Sequence, residues 1–101
     1  MSIYNTEIKY RTILADYIGR SKPVNGLSSW SDLMQVVQKI ESEVYDVTIN
    51  KKGCFIISYM EKNTELNPLK METFSCTLSE TPNRKKIETV FIACIKYLEK
   101  D

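Results

Sequence analysis

Residues 45–60 read YDVTINKKGCFIISYM, and this stretch decides the fold. Tyr45, Val47 and Ile49 alternate with Asp46 and Thr48, the period of a half-buried strand. Asn50-Lys51-Lys52-Gly53 then supplies a hairpin turn, with Gly53 able to take positive φ. Cys54 to Met60 returns as a second strand. It is apolar on both faces, with Cys54 and Ile56 on one and Phe55, Ile57 and Tyr59 on the other. It is therefore expected to be the most buried strand and to need cover on both sides.

Working outward, residues 61–70 (EKNTELNPLK) form a polar loop, and Met71 to Leu78 a third strand. Phe74, Cys76 and Leu78 point inward there, and Thr73, Ser75 and Thr77 outward. Upstream, residues 29–43 form a helix with Ser29 as N-cap and Asp32 in a capping-box-like position. Trp30, Leu33, Met34, Val37, Ile40 and Val44 fall on its apolar face. Residues 20–28 are a loop rich in turn formers (Pro23, Asn25, Gly26). Residues 5–19 read as a first helix, capped by Asn5 or Thr6 and closed by Gly19. A strand from Glu7 to Leu14, with Ile8, Tyr10, Thr12 and Leu14 alternating, is the competing reading. Thr81-Pro82 predicts the N-cap and first residue of a last helix, whose stripe is Ile87, Val90, Phe91, Cys94, Ile95 and Leu98. The expected fold class is α/β (α+β), in the order α-α-β-β-β-α. A small three-stranded antiparallel sheet is covered by helices on both faces, as an α/β/α sandwich in one domain spanning 1–101.

The bulk composition narrows the function. The 101 residues are 27% charged and 43% hydrophobic, which is a globular balance. Fourteen basic against 13 acidic residues leave a formal charge of +1, which speaks against a protein that coats duplex DNA. No apolar run is long enough to span a membrane, and residues 1–19 hold no signal-peptide core. Cys54, Cys76 and Cys94 are odd in number and widely spaced, so reduced core thiols in a cytoplasmic location are expected. A chain this short gains from oligomerisation, and a homodimer or higher homo-oligomer is expected.

Catalysis finds little to stand on. There is no His, which removes the usual general base, the commonest metal ligand and every Ser-His or Cys-His pair. No phosphate-cradling glycine loop or metal-ligand spacing is present, and neither a cofactor nor a metal is expected. Glu41 and Glu43 are two apart on a helix and do not face each other. Glu61 and Glu65 read as solvated loop. The protein is expected not to be an enzyme.

Two basic groups suggest binding instead. Arg84, Lys85 and Lys86 occupy the first turn of the expected last helix, where like charge opposes the dipole. They serve either, together with the helix N–H groups, as donors to a phosphate or an acidic partner surface, or as a solvated helix start with Lys85 or Arg84 paired to Glu88. Arg20 and Lys22 lie in the loop before Ser29 and Trp30. Trp30, flanked by serines and cations, either stacks on a nucleobase or plugs the core. The candidate ligand-binding residues are thus Trp30, Arg20, Lys22, Ser29, Arg84, Lys85 and Lys86.

Three segments carry a family resemblance. Leu14-Ala15-Asp16-Tyr17-Ile18-Gly19 closes the first helix, Ser28-Ser29-Trp30-Ser31-Asp32-Leu33-Met34-Gln35-Val36-Val37-Gln38-Lys39-Ile40-Glu41 forms the second, and Lys86-Ile87-Glu88-Thr89-Val90-Phe91-Ile92-Ala93-Cys94-Ile95-Lys96-Tyr97-Leu98 the last. Together they resemble the small phage and prophage proteins of the phage ABA sandwich domain. Thr89 stands where that family usually has Ala, the Trp-Tyr near the end of its last helix is missing, and the loop before Trp30 is short. The resemblance implies an α/β/α sandwich and a phage accessory role, and it brings no catalytic residues. The expected function is counter-defence. The protein would sequester a small anionic, nucleotide-derived immune signal or, alternatively, block a host defence protein as an interaction module.

Overall fold

A computed structural model of the chain describes residues 7–25, 28–59, 71–81 and 83–99. Helix α1 spans Glu7–Tyr17, α2 Trp30–Glu41 and α3 Lys86–Leu98; strands β1 (Asp46–Asn50), β2 (Gly53–Tyr59) and β3 (Met71–Thr77) lie between α2 and α3. The sheet is an antiparallel meander with β2 in the centre. The class and element order read from the sequence are those observed. The helical reading of residues 7–17 holds over the strand alternative. The expected cap at Asn5 or Thr6, the loop glutamates Glu61 and Glu65, and Pro82 lie outside the described residues.

Local chemistry explains the boundaries. Helix α1 ends in a Schellman turn: Gly19 takes φ 73°, its N–H reaches Asp16 O at 3.2 Å, and Arg20 N–H reaches Ala15 O at 2.8 Å. Ser29 caps α2, its Oγ accepting from Asp32 N at 3.3 Å. In the hairpin, Asn50 Oδ1 accepts from Lys52 N at 2.8 Å and Gly53 N at 3.3 Å.

The last helix starts later than Thr81-Pro82 implied. Thr81 instead closes a short 3-10 turn over Leu78–Glu80, which ends β3 at Thr77. Arg84 then adopts φ 49°, left-handed backbone that no helix continues through. The helix opens after it because the Glu88 carboxylate takes the Lys85 N–H at 2.9 Å. Of the three basic residues expected in the first turn, only Lys86 belongs to the helix.

The sheet presents Val47, Ile49, Cys54, Ile56, Phe74 and Cys76 to the helices. Helix α3 packs on β2 and β3, α2 on β1 and α3, and α1 on α2. Helix α3 is buried almost all round: Ile87 through Ile95 is an unbroken run of buried residues, including Thr89, Ile92 and Ala93 outside the expected stripe. A helix enclosed in this way needs partners on opposite sides. The layering therefore differs from the sequence-based expectation in one respect. Helices were expected on both faces of the sheet; among the described residues they stack on one. Phe55 and Ile57, on the other face, are half-buried and belong neither to the buried core nor to the apolar side chains packed on it. Enclosing α3 occupies the helices that would have covered them.

Gly53 pairs with Thr77 of β3, with its backbone close against that strand. A Cβ there would stand 2.2 Å from Cys76 O, and φ is 154°. Neither the conformation nor the space tolerates a side chain. Gly53→Ala is expected to cost about 2 kcal/mol or more, lowering the melting temperature by roughly 8 °C or more in a domain of this size, as read by thermal unfolding.

Candidate functional site

The loop before α2 and the helix's first turn form one bonded unit. Asp32 Oδ2 accepts from Arg20 Nη2 and from Asn25 N, each at 3.1 Å. Asn25 Oδ1 in turn accepts from Arg11 Nη2 at 3.0 Å and Ser28 Oγ at 2.5 Å. Arg20 and Ser29 are thus brought together, but through Asp32 rather than toward a ligand. The guanidinium of Arg20 beside Asp32, with the Asn25 N–H, holds that carboxyl below the usual aspartate range. Arg20 is committed to this ion pair and positions the loop. Lys22 is exposed. Trp30 is 42% exposed and lies outside the core, so it is not the core plug that its place in the helix allowed.

The second basic group is built differently from its expectation. Arg84, Lys85 and Lys86 are exposed. Glu88 is 2% exposed, and its carboxylate takes the Lys85 N–H and, through Oε2, the Asn83 Nδ2 amide at 3.1 Å. The positive end of α3 is therefore filled by the chain's own carboxylate, at the place where one of the two readings put a phosphate. Nor does the expected pairing of Glu88 with the Arg84 or Lys85 side chain carry the contact; Glu88 meets backbone and amide instead. No bond among the described residues joins this group to the loop of Arg20, Lys22 and Trp30.

Two further clusters went unread in the sequence. Glu43 Oε1 accepts from both Tyr17 OH and Tyr97 OH, the latter at 3.1 Å, and so ties the C-terminal ends of α1 and α3 to the segment leaving α2. Lys39 adds to the tie, donating to Tyr17 O at 2.6 Å with its ammonium 4.6 Å from the Tyr17 ring centre. Burial and the Glu43 hydrogen bond push the Tyr97 phenol up to about 12 and raise that of Tyr17. These phenols are donors at neutral pH. The contacts bridge 26 and 54 positions of sequence, so no local spacing announces them.

The other cluster is on the sheet face that no described helix covers. Tyr59 and Met71 stand opposite each other across β2 and β3, and the Tyr45 ring meets Tyr59 edge-on at 5.9 Å. All three are exposed, Tyr45 at 59%, Tyr59 at 48% and Met71 at 38%. Tyr45 was expected to point inward with Val47 and Ile49. It lies one residue before β1 begins, which releases it from the strand's alternation.

The three cysteines are free and buried, in the core positions expected of them. Cys54 and Cys76 are cross-strand neighbours, and Cys54 lies close enough to Cys94 to add to the rise that burial gives the Cys94 thiol. Burial raises the thiols of all three, that of Cys54 to about 12, which leaves little thiolate at neutral pH. Among the described residues no group of three His, Cys, Asp or Glu could hold a metal ion, and no helix is long and apolar enough to cross a membrane.

No protein-family model matches the chain, and no curated protein or solved structure matches it either.

The Asp32 network sets a pH dependence with a definite sign. The carboxyl titrates lower in the folded chain than in the unfolded one, so its stabilisation is complete above the ordinary aspartate value near 4 and is lost as pH falls through the lowered folded value. Asp32→Asn is expected to melt below the wild type at pH 7, and the gap should close toward pH 2, in thermal unfolding at each pH.

Proposed function

We propose that this chain is a non-enzymatic binding protein that blocks a host protein, which docks on the aromatic end of the sheet face that no described helix covers. The observation that carries this reading is the grouping of Tyr45, Tyr59 and Met71 in solvent. Tyr and Met are enriched at interfaces, and charge is depleted at their centres. Phe55 and Ile57 continue the same face and extend the apolar surface along β2. The phage ABA sandwich resemblance supplies the setting, a phage accessory protein acting on defence in the host cytoplasm.

A second reading, sequestration of a small anionic nucleotide signal, is favoured by Trp30. Its 42% exposed indole offers a stacking surface, with the Lys22 ammonium in the preceding loop. It ranks second because a phosphate needs converging donors, and Arg20 is engaged with Asp32 while Glu88 fills the end of α3.

A photocrosslinking phenylalanine analogue at position 59 tests the first reading in host cells. One discrete crosslinked species is expected from that position, none from exposed Gln35 on α2, and loss of the species when Met71→Glu is added. No crosslink from position 59 would overturn it. The second reading is tested by melting the protein with cyclic oligonucleotides and ADP-ribose-derived signals. A ligand at about 100 times its Kd adds about 2.7 kcal/mol. It should also change the fluorescence of Trp30, the chain's single tryptophan.

A further inference from the structure

The two edges of the sheet are finished differently. On β3, the Thr77 N–H donates to Glu80 Oε2 at 2.7 Å, and the Ser75 carbonyl accepts from Lys96 Nζ at 2.8 Å. Lys96 and Glu80 also pair with each other at 3.6 Å. Charged side chains laid along an edge in this way keep another strand from adding to it.

These bonds also set the direction of every peptide group in the sheet. Successive residues of an antiparallel strand turn their N–H and C=O groups to opposite sides. Since Ser75 and Thr77 turn outward, Phe74 and Cys76 face β2, and their opposites Ile56 and Cys54 face β3. Phe55 and Ile57 must then face β1, and the Tyr45 N–H does reach Ile57 O at 2.9 Å. Their opposites Thr48 and Asp46 face back toward β2. Val47 and Ile49 are left with their N–H and C=O groups on the outer edge of β1, where no other described strand pairs.

We propose that a second copy of this chain adds to that edge. The two β1 strands run antiparallel about a two-fold axis at Thr48 and join the two three-stranded sheets into one. Val47 exchanges both its peptide hydrogen bonds with Ile49 of the partner subunit, and the reverse pairing repeats them. Charge selects this occupant. Asp46 stands exposed at one end of β1, and Lys51 and Lys52 stand exposed just past the other. Antiparallel self-pairing brings the negative end of each strand beside the positive end of its partner, twice, whereas parallel pairing sets like beside like. The same register places Tyr45 opposite the partner's Lys51, a cation against an exposed ring. The paired edge, Val47 and Ile49, is separate from Tyr59 and Met71 of the proposed docking face, and Tyr45 is the one residue common to both surfaces.

The test is the mass of the full chain in solution by light scattering, from micromolar concentration upward. The expected value is twice the 11.7 kDa chain mass. Asp46→Lys alone, and Lys51→Glu with Lys52→Glu, should each weaken the dimer by about tenfold or more at low salt. All three changes together should restore it, because the charges are exchanged and not removed. These positions are exposed, and circular dichroism confirms that each variant is folded. Val47→Pro removes an outward N–H and should give a monomer. A monomeric wild type at all concentrations overturns the proposal. So does a dimer indifferent to the charge reversals, or a triple variant that stays monomeric.

Discussion

The constraint on which the rest of the structure depends is the enclosure of α3. A surface helix buries one stripe and wets the other. Here Ile87 through Ile95 are all buried, and only Lys86 and Lys96 of the helix stand exposed. Such a helix has to lie between layers. Strands β2 and β3 cover it on one side, and α2, which α1 also contacts, packs from elsewhere. Thr89 and Ala93 are small, which lets neighbours approach closely where a larger side chain would hold them off. The Thr89 hydroxyl is satisfied within the helix, donating to Lys86 O at 2.6 Å. Once α3 takes this central place, the second face of the sheet has no described helix left to cover it.

Polar groups then secure the ends of the enclosed helix. At its start, Glu88 is nearly buried and would be costly there unless bonded, and the Lys85 N–H and the Asn83 amide supply that bonding. At its finish, Tyr97 meets Glu43, which also holds Tyr17. Both devices place carboxylates where the chain itself needs them. The same economy governs Arg20, whose charge answers Asp32 and fixes the approach to α2. Residues that read as free cationic donors thus divide into those the fold consumes and those it leaves in solvent, namely Lys22, Arg84, Lys85 and Lys86.

Apart from Trp30 on α2, the exposed large apolar side chains among the described residues gather at the sheet. One edge is strapped by Lys96 and Glu80, the other presents Val47 and Ile49, and between them lies a face that ends in Tyr45, Tyr59 and Met71. The cysteines, by contrast, are withdrawn from chemistry by their burial between the sheet and α3.

The sequence by itself determined the elements. The period change at Tyr45–Ile49, the Asn50–Gly53 turn, the Ser29 cap and the apolar run after Ile87 are local signals, and local signals suffice for hydrogen bonding over a few residues. Element ends were less legible where a distant or unusual group intervened. The start of α3 was read at Thr81-Pro82 because Pro favours that position, whereas the backbone of Arg84 and the carboxylate of Glu88 set it later. Of the candidate site, Trp30 and the Arg84, Lys85 and Lys86 group are exposed, and among the described residues no bond joins that group to the loop before α2, which the chain alone could not show. Only the tertiary structure decided that α3, and not the sheet, is the enclosed layer, that Glu43 joins two tyrosines, and that Tyr59 meets Tyr45 and Met71. Each of these depends on which surfaces meet across long stretches of chain, and periodicity records only that a side chain is apolar, not what covers it.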